Sequence, residues 1–171
     1  MMAQETGLEE EVKLKEKVIQ IRRVTKVVKG GKKMGFRAVV VVGNGSGEVG
    51  VGVGKAAEVS AAIRKGAETA KKKQIKFQRV GGTIPHEAVG ESGASRVLLR
   101  PAPRGTGVIA GGAVRTILEL AGVSDVVAKS LGSPNSINIA RATVAALLSL
   151  MKLEEIETLR GKKLNVEFVQ E

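Results

Sequence analysis

Between residues 18 and 28 apolar and polar positions roughly alternate, and residues 36–42 read FRAVVVV, a β-branched run. A period of two sends successive side chains to opposite faces of a strand, so the pattern predicts two strands. The stretch between them, Lys29-Gly30-Gly31-Lys32-Lys33-Met34-Gly35, is expected to be a long basic loop at the tip of a hairpin. A second turn, Gly43-Asn44-Gly45-Ser46-Gly47, leads into EVGVGVG, where Val49, Val51 and Val53 share one face and Gly50, Gly52 and Gly54 the other. A strand face without side chains either admits a close neighbour or marks a bend. Val59, Ala62, Ile63, Gly66, Ala67 and Ala70 then form a small-residue stripe at helical spacing, with Arg64, Lys65 and Lys72 on the opposite side. The first half therefore reads β-β-β-α.

Gly81-Gly82 punctuates the chain and is taken as the domain boundary. Beyond it the pattern predicts a strand over residues 96–100, a Pro/Gly-rich loop over 101–107, and a helix over 110–121 carrying Ala110, Ala113, Val114, Ile117, Leu118 and Ala121, with Gly122 as its stop. A short strand over 126–129, the loop Gly132-Ser133-Pro134-Asn135, and a helix with Ile137, Ala140, Val144, Leu147, Leu148 and Met151 on one stripe complete a second layered unit. From Glu154 the apolar pattern gives way to mixed charge. The expected organisation is an acidic tail (1–15), a basic domain (16–80), an α/β domain (81–153) and a C-terminal tail (154–171). The fold class is α+β: a β-β-β-α domain followed by a two-layer α/β domain, with no internal repeat.

Charge changes this picture from fold to function. The chain has 171 residues and a formal net charge of +11, with 28 Lys and Arg against 17 Asp and Glu. The surplus is local, because residues 16–80 hold sixteen basic and four acidic groups whereas 81–150 hold six and four. Such a concentration is the footprint of a polyanion-binding surface. Aromatic residues make up only 2%, which disfavours a single-strand binder built on stacking platforms. With no Cys and one His, a zinc module is excluded and no metal or cofactor is expected. Neither the opening residues nor any apolar run has the length of a signal peptide or a membrane span, so a soluble, cytoplasmic protein with no membrane partner is expected.

Catalytic motifs fail on context. Gly45-Ser46-Gly47-Glu48-Val49-Gly50 matches GxGxxG but runs on as a strand instead of opening a helix. Gly54-Lys55 lacks the Ser or Thr of a phosphate-binding loop, although Lys55, read as opening a helix, could hold a phosphate there. His86 and Asp125 are unique residues with no nucleophile elbow near them, so His86 is read as structural or RNA-contacting. Glu154 and Glu155 read as solvated charge. No catalytic residue and no small-molecule substrate are expected, which leaves a nucleotide-binding enzyme and a free-standing DNA-coating protein as the rival classes.

Residues 22–37 hold seven cations, Arg22, Arg23, Lys26, Lys29, Lys32, Lys33 and Arg37, and no anion. Like charges at this density repel, and glycines among them let backbone N–H groups approach phosphates. At these residues the chain resembles the small-subunit ribosomal protein five family of bacteria and organelles. The resemblance rests on RRVTKVVKGGKKMGFRAVVVVGNGSGEVGVGVGKAAEVSAAIRK, then GTIPH, then SRVLLRPAPRGTGVIAGGAVRTILELAG, then AKSLGSPNSINIARAT, in order over roughly residues 16–150. Ser60 stands where the family usually has Pro, and Pro134 and Ser136 depart from its pattern around Asn135.

The resemblance implies a non-enzymatic constituent of the small ribosomal subunit, its first domain similar to a double-stranded-RNA-binding domain. By analogy Val24, Thr25, Lys26, Lys29, Gly30 and Gly31 would touch ribosomal RNA at the head–body junction, near the spectinomycin pocket. The second domain would meet small-subunit proteins four and eight, with Gly107 and Arg115 facing protein four, a contact tied to decoding accuracy and to the path of incoming messenger.

Overall fold

The computed structural model describes residues 14–163; the outer parts of both expected tails, 1–13 and 164–171, lie outside them. The first unit is an antiparallel sheet of β1 (Lys15–Val28), β2 (Gly31–Gly43), β3 (Glu48–Ala56) and β4 (Gln74–Lys76), in that order, with α1 (Val59–Lys72) on one face. The fourth strand, three residues long, extends the expected β-β-β-α pattern. The glycine face of β3 lies under α1. A Cβ at Gly50, Gly52 or Gly54 would fall on the backbone carbonyl of Ala70, Gly66 or Ala62 respectively. Close approach to a helix, not a bend, is what these glycines provide.

The hairpin differs from its expected form. Val28 pairs with Gly31, so the turn is only Lys29 and Gly30, and residues 31–35 belong to β2. Gly30, at φ 97°, supplies a positive φ within the two-residue connection, and Gly31, the first residue of β2, is also positive at φ 148°. The ladder then continues through Val27 opposite Lys32 and Lys26 opposite Lys33. Lys55 also departs from expectation: it lies within β3 opposite Arg37, and α1 begins only at Val59.

The second unit has a sheet in the order β5-β6-β8-β7, from β5 (Ala88–Ser92), β6 (Ser95–Pro101), β7 (Val108–Ile109) and β8 (Val126–Gly132). Only β7 runs parallel to its neighbour. Two helices, α2 (Gly112–Ala121) and α3 (Ser136–Leu148), pack with it. Ala110 precedes α2 rather than lying in it, and Gly122 ends the helix in the left-handed conformation at φ 81°. The buried side of α3 is Ala140, Ala142, Thr143, Ala146 and Leu147. Leu148 and Met151, expected on that stripe, are exposed: the buried face is offset to Ala142, Thr143 and Ala146, which leaves Leu148 outside it, and Met151 lies beyond the end of α3. A short helix, α4 (Leu153–Arg160), occupies the start of the expected C-terminal tail.

Val41, Val49 and Phe77 of the first unit join Leu99, Val114, Ile117, Leu118 and Leu147 of the second in one buried cluster. The turn at residues 43–47 sits at the C-terminus of α2: Gly45 N–H donates to the Leu120 carbonyl at 2.9 Å and Gly47 N–H to the Ala121 carbonyl at 3.0 Å. Two of the helix's orphan carbonyls are thereby satisfied by the neighbouring unit.

Candidate nucleic-acid interface

Residues directly opposite in a ladder project from the same face of the sheet. Arg22 is opposite Arg37, and Arg37 is opposite Lys55, so three cations form one row across β1, β2 and β3. Two rows nearer the tip, Lys26 is opposite Lys33. Val24 opposite Gly35 lies between these rows, and Val28 opposite Gly31 ends the face. None of these five cations makes an ion pair among the described residues. Directly opposed like charges destabilise a sheet, so this arrangement carries a standing repulsion that a bound polyanion would relieve. Gly31, where a Cβ would meet open space, leaves room for a phosphate backbone beside Lys33.

Arg23, Thr25 and Lys32 project from the opposite face of the same ribbon, and Lys29 and Gly30 form its tip. The twelve candidate positions Arg22, Arg23, Val24, Thr25, Lys26, Lys29, Gly30, Gly31, Lys32, Lys33, Arg37 and Lys55 thus lie on one ribbon and its flank, divided between two faces. Beyond Phe36, toward the tip, no third strand among the described residues supports the ribbon. The turn that matches GxGxxG is unsuited to phosphate. Its N–H groups are used internally, Gly45 and Gly47 on α2 and those of Ser46 and Glu48 on Asn44 Oδ1 at 2.8 and 3.1 Å.

The second unit presents a different surface. Asp125 is buried, and its Oδ1 accepts from Gly105 N–H and Gly107 N–H, both at 2.9 Å, while Oδ2 accepts from Ser124 Oγ at 3.0 Å. The Gly107 hydrogen bond, followed by Ser124 and then the Gly105 and Thr106 amides, holds the carboxyl below its ordinary pKa despite burial. One carboxylate therefore shapes the 102–107 loop that carries Gly107. Arg115 is exposed on α2 and makes no ion pair among the described residues. Glu119, one helical turn beyond Arg115, is ion-paired with Lys17 of β1 at 2.9 Å. His86 joins two segments of the second unit: Met151 N–H donates to Nε2 at 3.0 Å, which puts the ring proton on Nδ1, 2.8 Å from the Glu87 carbonyl.

Two family models match the chain in the same order as its two sheets. One, described as Ribosomal protein S5, N-terminal domain, covers residues 14–78, and the other, Ribosomal protein S5, C-terminal domain, covers residues 90–160. The chain belongs to the ribosomal protein S5 family. Membership makes it a structural constituent of the small ribosomal subunit that binds ribosomal RNA, and the α+β architecture is that of the S5 pair of domains. In S5 terms the basic ribbon falls in the N-terminal match, and Gly107, Arg115 and Asp125 fall in the C-terminal one. Sequence reasoning names Lys55 but attaches it to a helix. It offers no signal for the Lys17–Glu119 pair, whose members are 102 positions apart.

Proposed function

We propose that the basic face of the β1–β2 ribbon holds small-subunit RNA where the head of the subunit meets its body, and that the protein supports assembly there. The observation that carries this reading is the row Arg22–Arg37–Lys55 with the pair Lys26–Lys33 beyond it, an anion-free surface on an unsupported two-stranded arm. An arm of this shape reaches away from its own core, as a connector between RNA segments must. In the same reading residues 16–80 are the RNA-binding unit and residues 81–153 meet small-subunit proteins four and eight in the cytoplasmic or organellar ribosome. Gly107, on the loop shaped by Asp125, and the unpaired Arg115 face protein four and contribute to decoding accuracy. The role is scaffolding without catalysis.

The chain has no Cys, so a Lys29→Cys variant carries a unique tether. With an iron chelate attached there and the variant assembled into small subunits, hydroxyl-radical cleavage is expected in ribosomal RNA of both head and body. Cleavage confined to one of them would overturn the junction assignment.

A further inference from the structure

The two faces of the ribbon are chemically unlike. One face carries the five cations. On the other, Thr25 is opposite Met34 and Val27 opposite Lys32, which sets Val27 diagonal to Met34. Val27 is 73% exposed and Met34 61%, among the highest exposures of large apolar side chains in the described residues. Phe36, half-buried, continues the same face toward the body of the sheet, opposite Arg23. An apolar pair held in the open at the end of an arm is unfavourable unless something covers it.

Its surroundings decide what that is. Arg23 and Lys32 border the pair, Lys29 tops it, and no acidic residue lies within residues 17–47. A protein partner offering an apolar patch would have to bring compensating acids into the field of the seven cations of residues 22–37. An RNA strand brings its own phosphates, and an unpaired base or a ribose edge supplies the apolar surface between them. Apolar wedges beside Arg and Lys are a general way of holding unstacked nucleotides. We propose that Val27 and Met34 receive an unstacked RNA base, with Lys29, Lys32 and Arg23 on the phosphates that flank it. The arm then reads a discontinuity in RNA structure with one face while its other face neutralises phosphates. This rests on the RNA-binding reading above and adds to it the kind of nucleotide taken.

Two measurements test it, both on the full chain. The first uses ribosomal RNA transcripts that contain internal loops, with a fully paired RNA duplex as control. The variant Val27→Thr with Met34→Thr keeps strand-forming residues and all charges. It is expected to lose about tenfold in affinity for the looped RNA at every salt concentration, as burial of two apolar side chains requires. Its log-log salt slope and its duplex affinity should stay at wild-type values, because counterion release depends on the cations alone. Equal affinity of variant and wild type for both RNAs would overturn the proposal. So would equal RNA affinity with loss of a subunit protein from the assembled particle, which would make the pair a protein contact. Absence of any salt-dependent RNA binding by the wild type would instead sink the underlying reading.

The second measurement needs no variant. In wild-type protein with labelled methionine methyl groups, Met34 is expected to shift upfield on titration with the looped RNA, as a base ring covers it. An unmoved Met34 methyl at saturation would overturn the proposal.

Discussion

Glu119 of α2 is ion-paired with Lys17 of β1 at 2.9 Å, and not with Arg115 one helical turn before it. The pair links the helix that carries Arg115 to the sheet that carries the basic ribbon, and Arg115 itself makes no ion pair among the described residues. Both partners are well exposed, so the bridge itself contributes little to stability.

Arg115→Ala is therefore expected to leave the melting temperature close to wild type, since the change removes neither core packing nor an intramolecular pair. Under the proposed contact with protein four, the same change should weaken that association and raise misreading of near-cognate codons. Wild-type misreading in ribosomes shown to contain the variant would contradict the assignment.

Replacing Arg22, Arg37 and Lys55 together by Ala should flatten the salt dependence of binding to small-subunit RNA. Each phosphate that goes without its cation takes about 0.7 to 0.9 off the log-log slope. The melting temperature of the free protein should hold or rise, because the row is self-repelling. A slope equal to wild type would place the RNA elsewhere.

Gly52→Ala is expected to destabilise the fold by at least about 2 kcal/mol, because the new methyl group would meet the backbone of Gly66 and Ala70 in α1, which cannot rotate away. Chemical denaturation reads this directly. Gly111→Ala, where a Cβ meets open space, is the control and should change stability far less.

Asp125 gives an acid limb to stability. Its folded-state pKa is lowered, so its contribution is full above the unfolded carboxyl value near 3.9 and is lost as pH falls through that value toward the folded one. Asp125→Asn keeps an oxygen for the Gly105 and Gly107 amides and cannot titrate. The stability difference between wild type and this variant should therefore shrink below about pH 4. Asp125→Ala, by contrast, should expose the Arg104–Gly105 bond to trypsin at neutral pH, as the loop loses its acceptor.

His86→Ala should cost about 1 kcal/mol, from the two hydrogen bonds by which the ring joins Glu87 to Met151, while incorporation into small subunits stays near wild type. Failure of a folded variant to incorporate would give His86 a role beyond the one its hydrogen bonds describe.

The sequence by itself determined the elements whose signal is periodic and local: the valine–glycine alternation of β3, the small-residue stripe of α1, the stop at Gly122. It also located the excess positive charge, because charge can be counted without knowing the fold. What it could not supply was register. Residues 29–35 have no period, so they read as a loop, whereas pairing with β1 carries the ladder through them to a two-residue turn. The pairing of Arg37 with both Arg22 and Lys55, the sorting of the ribbon into a face of five cations and a face where Val27 and Met34 stand between Arg23 and Lys32, and the capture of Glu119 by Lys17 all join positions far apart in the chain. Such contacts depend on which strands lie side by side and on how one unit packs against the next. The tertiary structure alone decides that, because a one-residue slip in pairing would send every side chain of the ribbon to the other face.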